Sequence, residues 1–441
     1  MVAVALPALA GPIEVDPASQ PFRGVSLPSG RGGLHGLEIG AQDGQQGYAE
    51  EEFFLSGTAA GADYRTHLLV RRPADPDRFS GTVVLEVFHA AGTAPLWMFR
   101  EYLVSRGHGY AVVNAQHLPL ENLAKPSDPA RYGSLAIGGP AGARPVAHAI
   151  TAQAAVLVRD SARSPFGPGV RCVILGGVSQ TGLFTLDFIS EAHREARLID
   201  GAPVFDGYFP LSAPGAAPVP AVGVPVIHMP NEGDFLMMAD GFMPAHLDGP
   251  FGYRRDDADT AADRYRLYEL AGCAHIPTWH VSAQEFSAVP GLAEAVLPGD
   301  RLAQFPGIMY RAAALDNLWR WVTAGTAPPR AERLRLTGSG EIRRDQHGNA
   351  VGGVRSSHLD VPVATYIARA PDAGPEPGLR RSQLGIEAPF SADKLAELYG
   401  SSREYAQRTA GRLDELVRER WLLPEDAAVL AAEAAENEVT A

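Results

Sequence analysis

The hydrophobic positions in the N-terminal part of the chain follow the pattern of β-strands. Glu52–Leu55, Thr66–Val70 and Thr82–Phe88 are short runs of apolar or β-branched residues, and Gly, Asp and Pro separate them. Runs of this length bounded by turn residues are typical of strands joined by short connections. The N-terminal part is therefore predicted to be β-rich.

Farther along, helical and extended patterns alternate. Apolar residues recur at helical spacing in two stretches, which are Met98, Phe99, Tyr102 and Leu103, and then Ile150, Ala154, Leu157 and Val158. Short strand-like runs occur at Tyr110–Val113, Val173–Leu175, Phe205–Leu211, Val224–Met229 and Tyr265–Leu270. Apolar strands that alternate with helices indicate parallel strands covered by helices on both faces. We therefore predict an α/β fold with a mostly parallel central sheet.

The pattern changes again near residue 330. Before it, one apolar face predicts an amphipathic helix that is closed by a glycine, and this face consists of Leu315, Leu318, Trp319 and Val322. Beyond it lie a segment rich in Gly, Asp and His and then charged helices from Ser391 onward. No repeat or long linker interrupts the chain. We predict one α/β domain over residues 1–330 and a C-terminal extension over residues 331–441 that packs on the same domain.

Charge and composition exclude several classes of function. The formal net charge of −13 argues against a nucleic-acid partner, because phosphate binding needs a basic face. Cys172 and Cys273 are too few for a disulfide scaffold or a thiolate zinc site, and neither a metal nor a cofactor is expected. The apolar N-terminus lacks the basic start of a signal peptide, and no run approaches the length of a membrane span. The expected location is the cytoplasm, with no membrane partner.

The stretch RCVILGGVSQTGLFT, residues 171–185, places a serine directly after a strand-like run. Residues Gly177–Thr181 nearly fit the pattern G-x-S-x-G, in which a sharp strand-to-helix turn presents a nucleophilic serine, here Ser179. The fifth position is Thr181, and the glycine comes one place later, at Gly182. Taken alone, the motif also fits an ordinary glycine-rich turn between a strand and a helix.

A serine nucleophile needs a base and an acid that orients the base, and both follow in that order. The predicted strand Val224–Met229 leads into an acidic turn with Glu232 and Asp234, and the strand Tyr265–Leu270 leads to His275. Because the carboxyl ends of parallel strands lie at one edge of a sheet, we expect these side chains to meet the serine. A position a few residues past the strand favours Asp234 as the acid, and Glu232 is the alternative.

Several stretches together resemble a known family. They are GYAEEEFFLSGTA, RRPADPDRFSGTVVLEVF, DPARYGSL, GVSQTG, NEGD, RYRLYELAGCAHIP, AAALDNLWRWVTAGTAPP and GNAVGGVRS. Together they are similar to the bacterial "alpha/beta hydrolase domain" family of serine hydrolases, from about residue 47 to the C-terminal helices. The resemblance implies an α/β-hydrolase fold and a triad carried by the serine, the histidine and one of the two acids named above. The chain departs from the family at Thr181, where serine is usual, and at His89, where asparagine is usual.

Such a triad needs two backbone amides that bind the oxyanion of the reaction intermediate. We expect one from Gln180, at the start of the helix that follows the serine, where the helix dipole also favours negative charge. The other is expected from the loop after Thr82–Phe88, at Ala90 or Ala91. His89 in the same loop is a candidate for substrate binding.

The connection between the acid strand and the histidine strand, residues 235–264, is long enough to form a substrate loop or lid, and residues 281–306 are expected to add to its rim. Its Met237, Met238 and Phe242 are candidates for contact with an apolar acyl or alcohol group. The same side chains would equally serve to pack the loop against the domain.

Together these patterns predict a cofactor-independent serine hydrolase that cleaves a carboxylic ester or a lactone through an acyl-enzyme. The expected partner is a small-molecule ester. Amide cleavage and acyl transfer use the same residues and remain alternatives. A further alternative, from a different class of protein, is a non-catalytic binding protein of the same fold in which the triad geometry is lost.

Overall fold

The structure is a computed structural model that describes residues 3–14, 19–23, 47–239, 251–287, 293–371 and 379–437. Among these residues, eleven strands form one sheet. They are β1 (Ala8–Ala10), β2 (Tyr48–Ala59), β3 (Ala62–Pro73), β4 (Thr82–Val87), β5 (Gly109–Val113), β6 (Ala136–Ile137), β7 (Cys172–Val178), β8 (Gly207–Leu211), β9 (Pro225–His228), β10 (Ala258–Thr260) and β11 (Asp263–Leu267). A second, two-stranded sheet contains β12 (Ala364–Ile367) and β13 (Ile386–Pro389).

The order of strands in the large sheet is β1-β2-β3-β5-β4-β7-β8-β9-β11-β10, and β6 pairs with β3. The neighbours from β5 to β11 in this order are parallel. The strands at both ends are antiparallel, through the pairs β1–β2, β2–β3, β3–β5 and β10–β11. The predicted α/β fold with a mostly parallel sheet and a β-rich N-terminal part is therefore confirmed.

Strands β2 and β3 are longer than the hydrophobic pattern predicts. Some of their additional residues are charged and form ion pairs across the two strands. Glu50 lies opposite Arg71, with a carboxylate-to-guanidinium distance of 3.0 Å, and Glu51 pairs with Arg72 at 2.7 Å. Such cross-strand ion pairs stabilise an extended conformation in segments that have no apolar run.

Eight longer helices accompany the strands among the described residues. They are α1 (Arg100–Ser105), α2 (Arg144–Arg159), α3 (Gln180–Asp187), α4 (Glu232–Ala239), α5 (Gly307–Ala324), α6 (Ala392–Tyr399), α7 (Ser402–Arg418) and α8 (Pro424–Glu436). Shorter helical turns lie at Pro76–Arg78, Pro95–Phe99, His117–Pro119, Leu120–Ala124, Lys125–Ser127, Pro129–Tyr132, Phe188–Ala192, Ala283–Ser287, Ala293–Ala295, Ser357–Asp360 and Leu379–Ser382. Helix α5 confirms the predicted helix, which is buried on nearly all sides from Gly307 to Leu318 and exposed in part only beyond them. It ends at Gly325, whose φ of 68° is left-handed.

The C-terminal residues from 331 onward contact the α/β part through apolar side chains and backbone hydrogen bonds. Leu413 and Leu416 of α7 and Leu430 of α8 belong to the same hydrophobic cluster as the central strands. The backbone amide of Val354 donates to the carbonyl of Glu269, just after β11, at 2.7 Å. Val354 thus forms an isolated parallel β-bridge with Leu270, just after the last parallel strand ends.

The parallel strands bring their carboxyl ends to one edge of the sheet. Strands β4, β7, β8, β9 and β11 end there, at Val87, Val178, Leu211, His228 and Leu267. The connections that follow these ends carry the residues that the sequence predicts to form the active site. In the described part of the chain, none of the helices combines the length and the hydropathy that a bilayer crossing requires.

Candidate active site

Ser179 occupies a sharp turn between β7 and α3. Its backbone has φ of 60° and ψ of −121°, a conformation that a residue with a side chain rarely adopts. Its amide donates to the carbonyl of Leu211 at the end of β8, at 3.0 Å, and its carbonyl accepts from Leu183 in α3, at 2.9 Å. The surrounding sheet and helix therefore hold the strained residue in place, and its side chain is only half-buried.

Two glycines allow the strand and helix backbones to approach at this turn. A Cβ on Gly177 would lie 2.1 Å from the carbonyl oxygen of Thr181, and a Cβ on Gly182 would lie 2.4 Å from that of Leu211. Gly182, which comes one position later than the pattern G-x-S-x-G expects, is thus the glycine that the packing requires. Thr181 is buried, and its Oγ1 accepts from the amide of Val178 at 2.9 Å and donates to the carbonyl of the same residue at 3.0 Å.

The structure brings together three of the side chains that the sequence analysis selected. The Nε2 of His275 lies 2.9 Å from the Oγ of Ser179. The Nδ1 of the same ring lies 2.6 Å from the Oδ1 of Asp234. These residues are separated by 96 and 41 positions in the chain, and each lies on a connection after a different parallel strand.

The acid sits at the start of α4 and is almost fully buried. Asp234 is 3% exposed, and its second oxygen, Oδ2, accepts from the backbone amide of Asn231 at 2.7 Å. The side chain of Asn231 donates in turn to the Oγ of Ser212, after β8, at 2.8 Å. One carboxylate oxygen is therefore anchored in the protein, and the other faces the imidazole of His275.

Glu232, the alternative acid, points away from the imidazole. It is fully buried; its Oε2 accepts from the backbone amide of Gly272 at 2.7 Å, and its Oε1 accepts from the Nη1 of Arg344. Both oxygens are thus engaged by groups other than His275. The geometry therefore favours Asp234 as the carboxylate that orients the imidazole.

The backbone amides expected to bind an oxyanion belong to Gln180, the residue after the serine, and to the loop that follows β4. Gln180 is the first residue of α3, where a helix leaves its amides without intrahelical partners. The amide of Ala90 donates to the Oε1 of the Gln180 side chain at 3.0 Å, and the amide of Ala91 donates to the Nδ1 of His89 at 3.0 Å. The loop after β4 therefore reaches the helix that follows the serine, and two side chains accept from its amides.

His89 is a neutral acceptor in this arrangement. Burial, and to a smaller extent the neighbouring His275, lowers its pKa to about 4. An unprotonated Nδ1 is what the hydrogen bond from Ala91 needs.

Sequence reasoning missed Gln116, which follows β5 at the same edge of the sheet. Its Nε2 donates to the carbonyl of Phe88 at 2.8 Å and to the Oε1 of Gln180 at 3.2 Å. Its Oε1 accepts from the Nε2 of Gln180 at 2.9 Å. Gln116 could have been predicted, because it follows the predicted strand Tyr110–Val113 just as each triad residue follows a predicted strand.

The predicted substrate loop is described only in part. Met237 lies in α4 and is buried, whereas Phe242 lies outside the described residues and the side chain of Met238 is not described. The residues 258–260 form β10, which pairs with the amino end of β11 and so lies away from the carboxyl edge. Phe251 packs on Phe235, directly after the acid, at a ring distance of 5.1 Å.

Among the described residues, no cluster of three or more His, Cys, Asp or Glu side chains could hold a metal ion. Both cysteines are buried and are not joined by a disulfide bond. Burial raises the pKa of Cys273, two residues before His275, to about 11, so that it is a protonated thiol at neutral pH.

A strained serine between a parallel strand and a helix, with an acid and a histidine on later strand ends, defines an alpha/beta hydrolase architecture. The sequence agrees with this architecture. Residues 9–432 match the family described as the alpha/beta hydrolase domain, and the chain belongs to that family. No curated protein matches the chain.

The solved structures to which the chain shows a low similarity include several esterases and dienelactone hydrolases. Esterase Est22 is 11% identical, covers 52% of this chain and 78% of its own, and has a TM-score of 0.30. A zinc-bound cold-adapted esterase from an Arctic intertidal metagenomic library is 14% identical, with 54% and 91% covered and a TM-score of 0.28. The dienelactone hydrolase from Anabaena variabilis is 12% identical, with 50% and 86% covered and a TM-score of 0.27. Likenesses this low carry no argument about activity or substrate.

Proposed function

We propose that this protein is a serine hydrolase that cleaves a carboxylic ester through an acyl-enzyme, with Ser179 as nucleophile, His275 as base and Asp234 as the orienting acid. The observation that carries the proposal is the chain of two hydrogen bonds from the serine hydroxyl through the imidazole to the carboxylate, at 2.9 and 2.6 Å. Both distances lie within the range for proton transfer and for orientation of the base.

In the acylation step, the Oγ of Ser179 attacks the carbonyl carbon of the ester while its proton passes to the Nε2 of His275. Asp234 accepts the hydrogen bond from Nδ1–H and so stabilises the imidazolium that forms. The carbon–oxygen bond to the alcohol then breaks, and the imidazolium gives its proton to the departing oxygen. Water repeats these steps on the acyl-enzyme, which releases the carboxylic acid and restores the serine.

The oxyanion of each tetrahedral intermediate needs backbone donors next to the serine. The amide of Gln180 at the start of α3 is one proposed donor, and the helix dipole adds to its effect. The loop of Ala90 and Ala91 is proposed to supply the second, because the bond from Ala90 to the Gln180 side chain joins that loop to the same helix end. A bound oxyanion would replace the side-chain acceptor that these amides have in this structure. Removal of one such donor typically costs about 2.7–4 kcal/mol of barrier.

The proposal is tested by labelling with a fluorophosphonate probe and by hydrolysis of p-nitrophenyl esters of graded acyl length, with several lactones and anilides beside them. We expect labelling at Ser179 and ester turnover, both abolished in Ser179→Ala and reduced at least ~10³-fold in His275→Ala. Ser190→Ala, which removes an exposed serine in the segment after α3, is the matched control and should behave as the wild type.

A folded wild-type chain that neither takes up the probe nor turns over any ester would contradict the proposal and favour the non-catalytic binding protein. Faster turnover of anilides than of esters with the same acyl group would instead assign the site to amide cleavage. Transfer of the acyl group to an added alcohol in preference to water would assign it to acyl transfer.

A further inference from the structure

The turn that carries the acid and the loop that carries the histidine are joined by hydrogen bonds. We call residues 231–234 the acid turn and residues 270–276 the histidine loop. The amide of Glu232 donates to the carbonyl of Leu270 at 3.0 Å, and the amide of Gly233 donates to that of Cys273 at 3.0 Å. The amide of Gly272 donates in the other direction, to the Oε2 of Glu232, at 2.7 Å.

The C-terminal extension fastens the histidine loop from the other side. The amide of Ala271 donates to the carbonyl of Val354 at 3.1 Å, and the amide of Ile276 donates to the carbonyl of Gln383 at 2.9 Å. Val354 and Gln383 both lie beyond residue 330. The backbone on either side of His275 is thus hydrogen-bonded to a part of the chain that supplies none of the three triad side chains.

One ion pair connects the extension to the acid turn. Glu232 is fully buried, and its Oε1 accepts from the Nη1 of Arg344, whose side chain is 35% exposed. A carboxylate buried without a cationic partner is strongly destabilising, because its charge is removed from water with no compensation. Arg344 is therefore the cationic partner of the buried Glu232 carboxylate, whose other oxygen accepts from Gly272.

Resting on the proposed function, we infer that Arg344 and Glu232 form a positioning pair for the catalytic histidine. Arg344 holds the Glu232 carboxylate, the carboxylate holds the amide of Gly272, and this bond fixes the histidine loop three residues before His275. Neither residue touches the reacting atoms. Displacement of a catalytic group by about 1 Å is enough to slow an enzyme ~10²-fold, so the pair acts on turnover and not on substrate binding.

The test compares Arg344→Gln with Arg343→Gln in the full chain. Arg343 is the adjacent arginine, its side chain is exposed, and no hydrogen bond or ion pair of that side chain is found among the described residues. We expect Arg344→Gln to lower kcat on p-nitrophenyl esters and the rate of fluorophosphonate labelling about 10- to 100-fold, with KM within about twofold of the wild type. Arg344→Lys, which keeps the charge, should recover part of the loss.

A double-variant cycle tests whether Arg344 acts on the histidine loop through Glu232. If Arg344 acts only through Glu232, the double variant Glu232→Gln/Arg344→Gln should lose no more activity than Glu232→Gln alone. Losses that multiply would overturn the inference, as would an Arg344→Gln enzyme with the kcat of Arg343→Gln. If Arg344→Gln does not fold, the kcat of Arg344→Lys and of Glu232→Gln decides instead, and wild-type values in both would overturn it.

Failure of this inference is distinguishable from failure of the proposed function. An inactive and unlabelled wild type refutes the hydrolase itself. An active wild type whose activity is insensitive to Arg344 and Glu232 refutes only the positioning pair.

Discussion

The side-chain carbonyl of Gln180 accepts a hydrogen bond from the backbone amide of Ala90, at 3.0 Å. This bond joins the residue directly after the serine to the loop that follows β4. Gln116 reinforces it, since its amide group donates to the same carbonyl at 3.2 Å and also to the carbonyl of Phe88 at 2.8 Å. Two glutamines from different strand ends thus hold the loop that is proposed to bind the oxyanion.

Removal of the Gln180 carboxamide tests the role of this bond. We expect Gln180→Ala to lower kcat about 10-fold with little change in KM, because the Ala90 amide loses the contact that orients it, while the backbone amide of residue 180 remains. Steady-state kinetics on a p-nitrophenyl ester measures both constants. A variant with a lower KM and an undiminished kcat would show that the Gln180 side chain instead competes with the substrate carbonyl for Ala90.

The two buried carboxylates of the acid turn should differ in their effect on turnover. Asp234→Asn keeps the shape but removes the charge that stabilises the imidazolium and selects its tautomer, so we expect kcat to fall ~10⁴-fold. Glu232→Gln leaves the contact between Asp234 and the imidazole intact. Its fall in kcat should therefore be at least ~10²-fold smaller than that of Asp234→Asn. The ratio of the two kcat values, measured on proteins with similar unfolding midpoints, decides the assignment, and a larger loss in Glu232→Gln would refute it.

The order of strand ends made the centre of the site predictable. Ser179, Asp234 and His275 each follow a short apolar run, and parallel strands must bring such ends to one edge. Only local patterns and this topological rule were needed to expect their meeting. The preference for Asp234 over Glu232 likewise rested on distance from the strand end.

The contacts that support the site were not predictable in the same way. Gln180 bonds to Ala90 across 90 positions, and Arg344 bonds to Glu232 across 112. A contact between polar side chains so far apart in the sequence leaves no periodic pattern from which it could be predicted. The charged residues near the ends of β2 and β3 were not predicted to belong to strands, for a related reason. They are stabilised by ion pairs between the two strands and not by an apolar run.

His89 departs from the asparagine that the family resemblance leads one to expect, and the structure suggests that the two residues are interchangeable. The Nδ1 of His89 accepts from the amide of Ala91, and an asparagine Oδ1 presents an acceptor at the same distance from the backbone. We expect His89→Asn to retain kcat within about threefold and His89→Ala to lose about 10-fold. Equal activities in both variants would show that the Ala91 contact does not matter for catalysis.

Thr181 should stabilise the serine turn through its hydroxyl. Thr181→Val has nearly the same shape but leaves the amide and carbonyl of Val178 without their partner, so we expect the free energy of unfolding to fall by about 1–3 kcal/mol. Thr181→Ser keeps the hydroxyl and loses one methyl group, with a cost of about 1 kcal/mol. Urea unfolding of the two variants measures the difference, and a smaller loss in Thr181→Val than in Thr181→Ser would mean that the methyl group, not the hydroxyl, supports the turn.

Glu86 in β4 should make the stability of the fold depend on pH. It is fully buried, and burial raises its pKa to about 8, although Tyr110, the amide of Leu96 and Arg71 each favour the charged form. In the unfolded chain the carboxyl ionises near its ordinary pKa of 4.5. Between these values the unfolded state has lost the proton and the folded state keeps it, so this group makes the free energy of unfolding fall as pH rises, by on the order of a few kcal/mol in all.

Glu86→Gln removes this ionisation and keeps an acceptor for Leu96 and the hydroxyl of Tyr110. We expect urea unfolding to show the variant close to the wild type at pH 5 and more stable than the wild type at pH 8, with the difference growing steadily between. Glu195→Gln, which neutralises an exposed carboxylate in the connection before β8, serves as the control and should show no such trend. A difference between Glu86→Gln and the wild type that stays constant with pH would mean that Glu86 is already ionised in the folded protein, with Arg71 compensating its charge.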